Sequence, residues 1–195
     1  MIPSDLLLAA YASGWFPMAD DIGEISWYSP DPRGIIPLDA FHAPARLHRV
    51  VRQGVFRVEI DTAFAEVIRA CAEAERDPDD SGTWISEEII ESYSALHELG
   101  YAHSVETWTG EGLVGGLYGV ALGGAFFGES MFHRTANASK VALVALVERL
   151  RARGFGLLDT QWVTAHLQQF GAIEVPRPQY MKLLASSLRR RTSFK

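Results

Sequence analysis

Two short segments of this chain carry the residue types best suited to chemistry, Gly128-Glu129-Ser130-Met131-Phe132 and Asp159-Thr160-Gln161. Glu129 follows directly on an apolar run, Ala125–Phe127, that reads as a strand. A carboxylate held beside Phe126, Phe127 and Met131 loses water on several sides, which either raises its pKa or demands a cationic partner. The alternative is a strand-end glutamate facing solvent. Asp159 closes a second apolar run, Phe155–Leu158. It stands where a strand leaves a sheet, a position at which open α/β folds place ligands, or else it merely caps the next helix. His103, His133 and His166 are too scattered for helical metal spacings, and no Asp or Glu completes a ligand set, so no metal is expected. Ser130 lacks the second glycine of a nucleophile elbow, and no phosphate loop of the Walker type is present. The tryptophans and tyrosines are core residues by default. Trp84, between a polar loop and a capped helix, is the best candidate for a platform that stacks a base.

These groups need a scaffold, and the pattern of elements supplies an α/β one. Ser4 or Asp5 starts a helix that Gly14 stops, leaving Trp15-Phe16-Pro17-Met18 as a turn. Three prolines between Pro30 and Pro37 forbid regular helix and point to an extended connector, with a domain boundary near Ile36. The chain then divides into a small N-terminal subdomain, residues 1–36, and a main domain, residues 37–195. Val55–Ile60 alternates as a strand, and Asp61 or Thr62 caps a helix to about Glu75, before the acidic loop Asp77–Gly82. Ser86 caps a helix ending at Gly100, and His103–Trp108 is a strand. Leu113–Leu122 and Ala125–Phe127 form a hairpin around Gly123-Gly124. Ser139–Arg153 leaves almost no polar face before its terminal arginines, so this helix is expected to be buried against the sheet. A helix to Phe170, a strand Ile173–Val175 and a last helix from Gln179 complete an α/β (α+β) chain.

With 195 residues, 48% hydrophobic and 22% charged, the composition is that of an ordinary soluble protein with one principal core. A single cysteine, Cys71, excludes an internal disulfide and makes a cytosolic setting the default. The apolar run Leu6–Ala12 is too short to span a bilayer. Net charge is −6, yet the charges are sorted. Arg33, Arg46, Arg49, Arg52 and Arg57 stand against Asp39 alone; Arg177–Lys195, including Arg189, Arg190 and Arg191, contains six basic residues and no acid. The two stretches either form one basic surface for a polyanion or are separate solvated faces.

Taken in order, the segments resemble those of the leucyl/phenylalanyl-tRNA protein transferases. The resemblance is carried by Tyr11-Ala12-Ser13-Gly14-Trp15-Phe16-Pro17-Met18, Trp27-Tyr28-Ser29-Pro30-Asp31-Pro32-Arg33, Thr83-Trp84-Ile85, Phe127-Gly128-Glu129-Ser130-Met131-Phe132, Asp159-Thr160-Gln161 with His166-Leu167, and Gly171-Ala172. It implies a GNAT acetyltransferase-like mixed sheet flanked by helices, working in the cytoplasm as a monomer without metal or cofactor. The activity it implies is transfer of Leu, Phe and, less well, Met from aminoacyl-tRNA to the N-terminal Arg or Lys of a protein, within the N-degron pathway of protein degradation. It assigns proton handling at the attacking amine to Asp159 and Gln161 and maps Glu129 to a third catalytic position; on physical grounds Glu129 is expected to pair with the acceptor's cationic N-terminal residue or with its ammonium, which accounts for a preference for Arg and Lys. The apolar pocket maps to Leu117, Phe126, Met131 and Leu146, and the platform near the terminal adenosine to Trp84. Arg33, Arg46, Arg49, Arg52 and Arg189–Arg191 are the expected tRNA contacts, through phosphates.

Two other readings compete. An acyl-CoA-dependent GNAT enzyme grips a pyrophosphate with a glycine-containing loop at a helix N-terminus, and Arg134-Thr135-Ala136-Asn137-Ala138 contains no glycine. A non-catalytic RNA-binding module accounts for the basic segments but not for Glu129, Asp159 and Gln161 together.

Overall fold

The computed structural model describes residues 1–20, 22–74 and 83–195; the acidic loop Asp77–Gly82 therefore lies outside the described residues. Helix α1 (Ser4–Ala12) leads into a hairpin of β1 (Phe16–Ala19) and β2 (Ile25–Tyr28). Segment 15–18, expected to be a turn, is thus mostly strand: Pro17 sits in a two-stranded ribbon whose edges tolerate a missing N–H.

The remaining strands are β3 (Arg33–Ile36), β4 (Arg57–Ile60), β5 (Ala102–Thr109), β6 (Gly112–Leu122), β7 (Ala125–His133), β8 (Leu157–Gln161) and β9 (Ile173–Val175). Among the described residues they make one seven-stranded sheet in the order β4-β5-β6-β7-β8-β3-β9, antiparallel except for the β7–β8 pair. Strand β3 changes the expected boundary. Arg33–Ile36 is hydrogen-bonded between β8 and β9, so the large layer begins at Arg33 and not after Ile36. The prolines that suggested a connector flank this strand without entering it.

Both sheet faces are covered. On one, α1, α3 (Phe64–Glu73), α4 (Glu87–Glu98) and α7 (Arg177–Leu188) bury Leu7, Tyr11, Val67, Cys71, Ile89, Tyr93, Tyr180 and Leu184. Ser86 caps α4 by accepting from the Ile89 N–H. On the other lie α2 (Ala45–Arg52), which sequence reading left unassigned, and α5 (Ala138–Ala152), with α6 (Ala165–Gln168) nearby. Helix α5 buries Val141, Leu143, Val144, Leu146, Val147 and Leu150, as its nearly uninterrupted apolar sequence requires. This is the mixed α/β sheet flanked by helices that the sequence implied. No helix among the described residues is long and apolar enough to cross a membrane.

Candidate active site

The site is built where two neighbouring strands part. Parallel pairing of β7 with β8 covers only Ala125–Phe127 against Leu157–Asp159. Beyond it, both strands carry an extra residue. On β7, Tyr118 faces Ser130 and Gly119 faces Gly128, so Glu129 has no partner across the ladder and is the bulged residue. On β8, Gly34 faces Gln161 and Ile35 faces Asp159, which leaves Thr160 as the extra one. A bulge bends its strand and re-aims side chains. Residues Phe127 and Met131, which an unbroken strand would place on one face, accordingly pack into opposite core layers. Glycine makes both bulges sterically possible. A Cβ on Gly119 would lie 2.2 Å from the Phe127 carbonyl oxygen, and one on Gly34 would lie 2.5 Å from the Trp162 carbonyl carbon.

Between the splayed strands lies a cavity of about 280 Å³. Its apolar wall includes Leu117, Met131, Leu143, Leu146, Leu158 and Leu167; Phe16, Met18, Trp84 and Trp162 add the wall nearer the N-terminal hairpin. Glu129, Gln161 and His166 bring polar atoms to it. Of the residues expected to line a pocket, Trp84, Leu117, Met131 and Leu146 do so. Phe126 does not. It is fully buried in the same core layer as Leu117 and Leu146 but nearer the Gly123-Gly124 turn, where it stacks on Phe194 at 5.2 Å.

Glu129 is half-buried and lies in the cavity wall. Its Oε1 accepts a 2.8 Å bond from the Tyr11 hydroxyl and a 3.3 Å bond from Gln161 Nε2. Tyr93 in turn makes a short hydroxyl–hydroxyl bond to Tyr11. Loss of water pushes the carboxyl up, and the charge of Asp159 adds to this; the Tyr11 bond, the Arg33 charge and Tyr93 pull the other way. The result is a pKa pushed up to about 8. Tyr11 and Tyr93 themselves are raised by burial and by the neighbouring Glu129, and so remain donors. Neither tyrosine is legible as a site residue in the sequence, since each ring packs in the core and only its hydroxyl reaches the carboxylate.

Asp159 is set differently from Glu129. It is fully buried, absent from the cavity wall, and saturated with donors. Arg33 gives Nε at 3.0 Å to Oδ1 and Nη2 at 2.8 Å to Oδ2, Tyr180 donates at 2.6 Å, and the Gln161 N–H at 2.9 Å. The Arg33 guanidinium lies against the rings of Phe16 and Tyr180 and donates to the Gly14 carbonyl. A buried ion pair of this kind holds only when its remaining donors and acceptors are satisfied, as they are here. Arg33 is therefore removed from the tRNA contacts: with no exposed surface it cannot reach a phosphate. Through Asp159 the pair fixes the backbone of Gln161, whose φ of 59° is left-handed and turns the amide toward Glu129.

The other expected arginines are exposed. Arg46, Arg49 and Arg52 lie on α2, and Arg189–Arg191 follow α7. The C-terminal end of α5 joins the two groups. Arg151 Nε donates to the Leu38 carbonyl just before α2, and Arg190 donates to the Gly154 carbonyl just after α5. Among the described residues no three of His, Cys, Asp or Glu converge as a metal set would.

A family model described as leucyl/phenylalanyl-tRNA protein transferase matches residues 35–185, and one for the N-terminal domain of the same proteins matches residues 2–31. The chain belongs to the leucyl/phenylalanyl-tRNA protein transferase family. It is 58% identical over 186 residues to the leucyl/phenylalanyl-tRNA–protein transferase of Akkermansia muciniphila, covering 94% of this chain and 95% of that one. It is also 58% identical to that of Salinibacter ruber over 185 residues, covering 94% and 79%. Among solved structures, L-PGS from Bacillus licheniformis superposes with a TM-score of 0.48 at 12% identity, over 96% of this chain and 71% of that one. As a transferase of this family, the protein is an enzyme, and the cavity between β7 and β8 is its candidate active site.

Proposed function

We propose that the protein transfers leucine, phenylalanine and, less efficiently, methionine from aminoacyl-tRNA to the N-terminal Arg or Lys of acceptor proteins. The reaction takes place in the cytoplasm, and the new N-terminus destabilises the acceptor toward proteolysis. The observation that carries the reading is the half-buried carboxyl of Glu129, set by a bulge on the edge of a cavity otherwise walled by leucine, methionine and aromatic side chains.

An aminoacyl ester is already activated, so the enzyme's task is to place an uncharged amine at the carbonyl and manage one proton. The acceptor's α-amine attacks the ester carbonyl carbon; the C–N bond forms as the bond to the terminal ribose oxygen breaks. The proton leaving nitrogen goes to Glu129 and thence to the departing ribose oxygen. A carboxyl pushed up to about 8 is matched to an α-amine, whose ordinary pKa is about 7.7 to 8, so the proton moves between groups of nearly equal affinity. Gln161 holds the Glu129 carboxylate in place with its amide nitrogen. Asp159 and Arg33 position Gln161 from beneath and do not touch substrate.

Leu117, Met131, Leu143 and Leu146 receive the apolar side chain of the transferred residue, and Trp84 stacks the terminal base. In such a pocket one methylene is worth about 1 to 3 kcal/mol, which makes the preference among Leu, Phe and Met modest. A cavity this size takes an amino acid and not a tRNA body, which instead lies on the arginines of α2, the end of α5 and the tail after α7. Incubation with radiolabelled Phe-tRNA and a peptide beginning with arginine, with labelled acetyl-CoA in a parallel tube, tests the reading. Label moves from the tRNA only; movement from acetyl-CoA instead would replace it by an acyl-CoA reaction.

A further inference from the structure

An acceptor that begins with Arg or Lys brings two groups to the site, its α-amine and its side-chain cation, joined through Cα and a stem of a few carbons. Both must lodge in, or at the mouth of, one cavity. Among the described residues of the cavity wall, Glu129 is the only acid. Its oxygens are already engaged: Oε1 accepts from Tyr11 and Gln161, and the Tyr93 hydroxyl lies 3.5 Å from Oε2. With Glu129 committed to the proton of the amine, the side-chain cation needs a receiver that is not a carboxylate. The face of an aromatic ring is the other group that attracts a cation, and indole does so most strongly.

Trp162 supplies such a ring. Of the aromatic residues in the wall, Phe16 and Tyr118 are buried and Trp84 is half-buried, whereas Trp162 is 44% exposed. It directly follows Gln161, whose amide reaches Glu129 at 3.3 Å. Its backbone is pinned. The Trp162 N–H donates to the Thr160 carbonyl at 2.6 Å, the Thr160 hydroxyl donates to the Trp162 carbonyl at 3.3 Å, and Gly34 lets β3 press against the same peptide. The indole meets Phe16 edge-on at 5.3 Å, and Tyr28, itself 40% exposed, at 6.4 Å and 65°. The two exposed rings form a corner beside the cavity. Neighbouring rings already hold guanidinium groups of the protein: Arg33 lies 5.0 Å from the centre of Phe16, and Arg177 6.0 Å from that of Trp15. Among the described residues no cation lies over Trp162 or Tyr28.

We infer that the Trp162 indole, with Tyr28 beside it, receives the cationic side chain of the acceptor's first residue. This rests on the transferase reading above and names what reads Arg and Lys at the site. Stacking of a further RNA base on Trp162 is the competing use, and it would leave the acceptor's cation without a receiver in the described wall.

Peptides beginning with arginine and with citrulline, which has nearly the same shape and no charge, separate the possibilities with Phe-tRNA as donor. The wild-type protein has the lower KM for the arginine peptide; equal values overturn the inference without any variant. Trp162→Leu raises KM for the arginine peptide about three- to thirtyfold, the range of one cation–π contact, and leaves KM for the citrulline peptide and for Phe-tRNA within about twofold. Trp162→Phe, which keeps a ring, recovers part of the loss. Should leucine at 162 unfold the protein, Tyr28→Leu on the N-terminal hairpin gives a smaller rise confined to the arginine peptide. Equal losses with both peptides, or none with either, overturn the assignment, and a raised KM for Phe-tRNA with the peptides unaffected gives Trp162 to the RNA instead. A wild-type protein that transfers from Phe-tRNA to neither peptide removes the transferase reading, and this inference with it.

Discussion

Tyr11 on α1 and Glu129 on β7, 118 positions apart in sequence, share a 2.8 Å hydrogen bond in which the phenol donates to the carboxylate. The bond favours the charged form of Glu129 against burial. Tyr11→Phe removes it, so the carboxyl titrates at higher pH than in the wild type. Transfer at pH 7 falls by roughly tenfold, the scale of one hydrogen bond to a charged group, and recovers toward pH 9. A loss of equal size at both pH values would show that Tyr11 does not act through the ionisation of Glu129.

The pH profile of single-turnover transfer rises through a midpoint near 8, where the Glu129 base form appears. Glu129→Gln abolishes that limb and lowers the rate by about 10² to 10⁴. Its effect on stability has the opposite sign. The folded pKa is raised, so between the unfolded value of about 4.3 and 8 the folded protein holds a proton that the unfolded chain has released, and stability falls as pH rises. Glutamine carries no such liability. The melting temperature of the variant exceeds that of the wild type by at least about 2 °C at pH 9, and the difference closes by pH 4. Scanning calorimetry across that range reads both limits.

Removing one member of the Arg33–Asp159 pair leaves the other charge buried and uncompensated. Arg33→Met and Asp159→Asn each destabilise by about 3 to 5 kcal/mol in denaturant titration. Single-turnover transfer by Asp159→Asn, measured at low temperature where the variant is folded, loses less than tenfold. A loss of about a thousandfold there, with stability intact, would return the proton-accepting role to Asp159.

Phosphate contacts release counterions, so tRNA affinity falls steeply with salt. Replacing Arg46, Arg49 or Arg190 by alanine lowers the slope of log affinity against log salt by about 1 each. Arg33→Met leaves the slope unchanged. Filter binding at four salt concentrations distinguishes these outcomes.

The helices α3, α4 and α5 and strands β5 to β7 were legible because their apolar residues recur with the period of a single element or fill it outright. Glu129 could be singled out for its setting, but its bulge could not. The extra residue depends on Gly119 letting β6 approach the Phe127 carbonyl, a fact of two strands together. Strand β3 was obscured by flanking prolines and by partners more than 120 residues away, such as Asp159 opposite Ile35. Arg33 was misread for a related reason. Counting charges along the chain groups it with Arg46 and Arg49, whereas its true neighbour is a carboxylate 126 positions on.

The place of β3 between β8 and β9 bears on how the protein can be made and cut. During synthesis, Arg33–Ile36 must wait for residues 157–175 to emerge before finding either flanking strand, so the catalytic centre assembles among the last events of folding. Proteolysis that releases the first 36 residues would not liberate a self-sufficient enzyme: it would strip an inner strand from the sheet, expose two raw edges prone to aggregation, and carry off Tyr11 and Arg33 together.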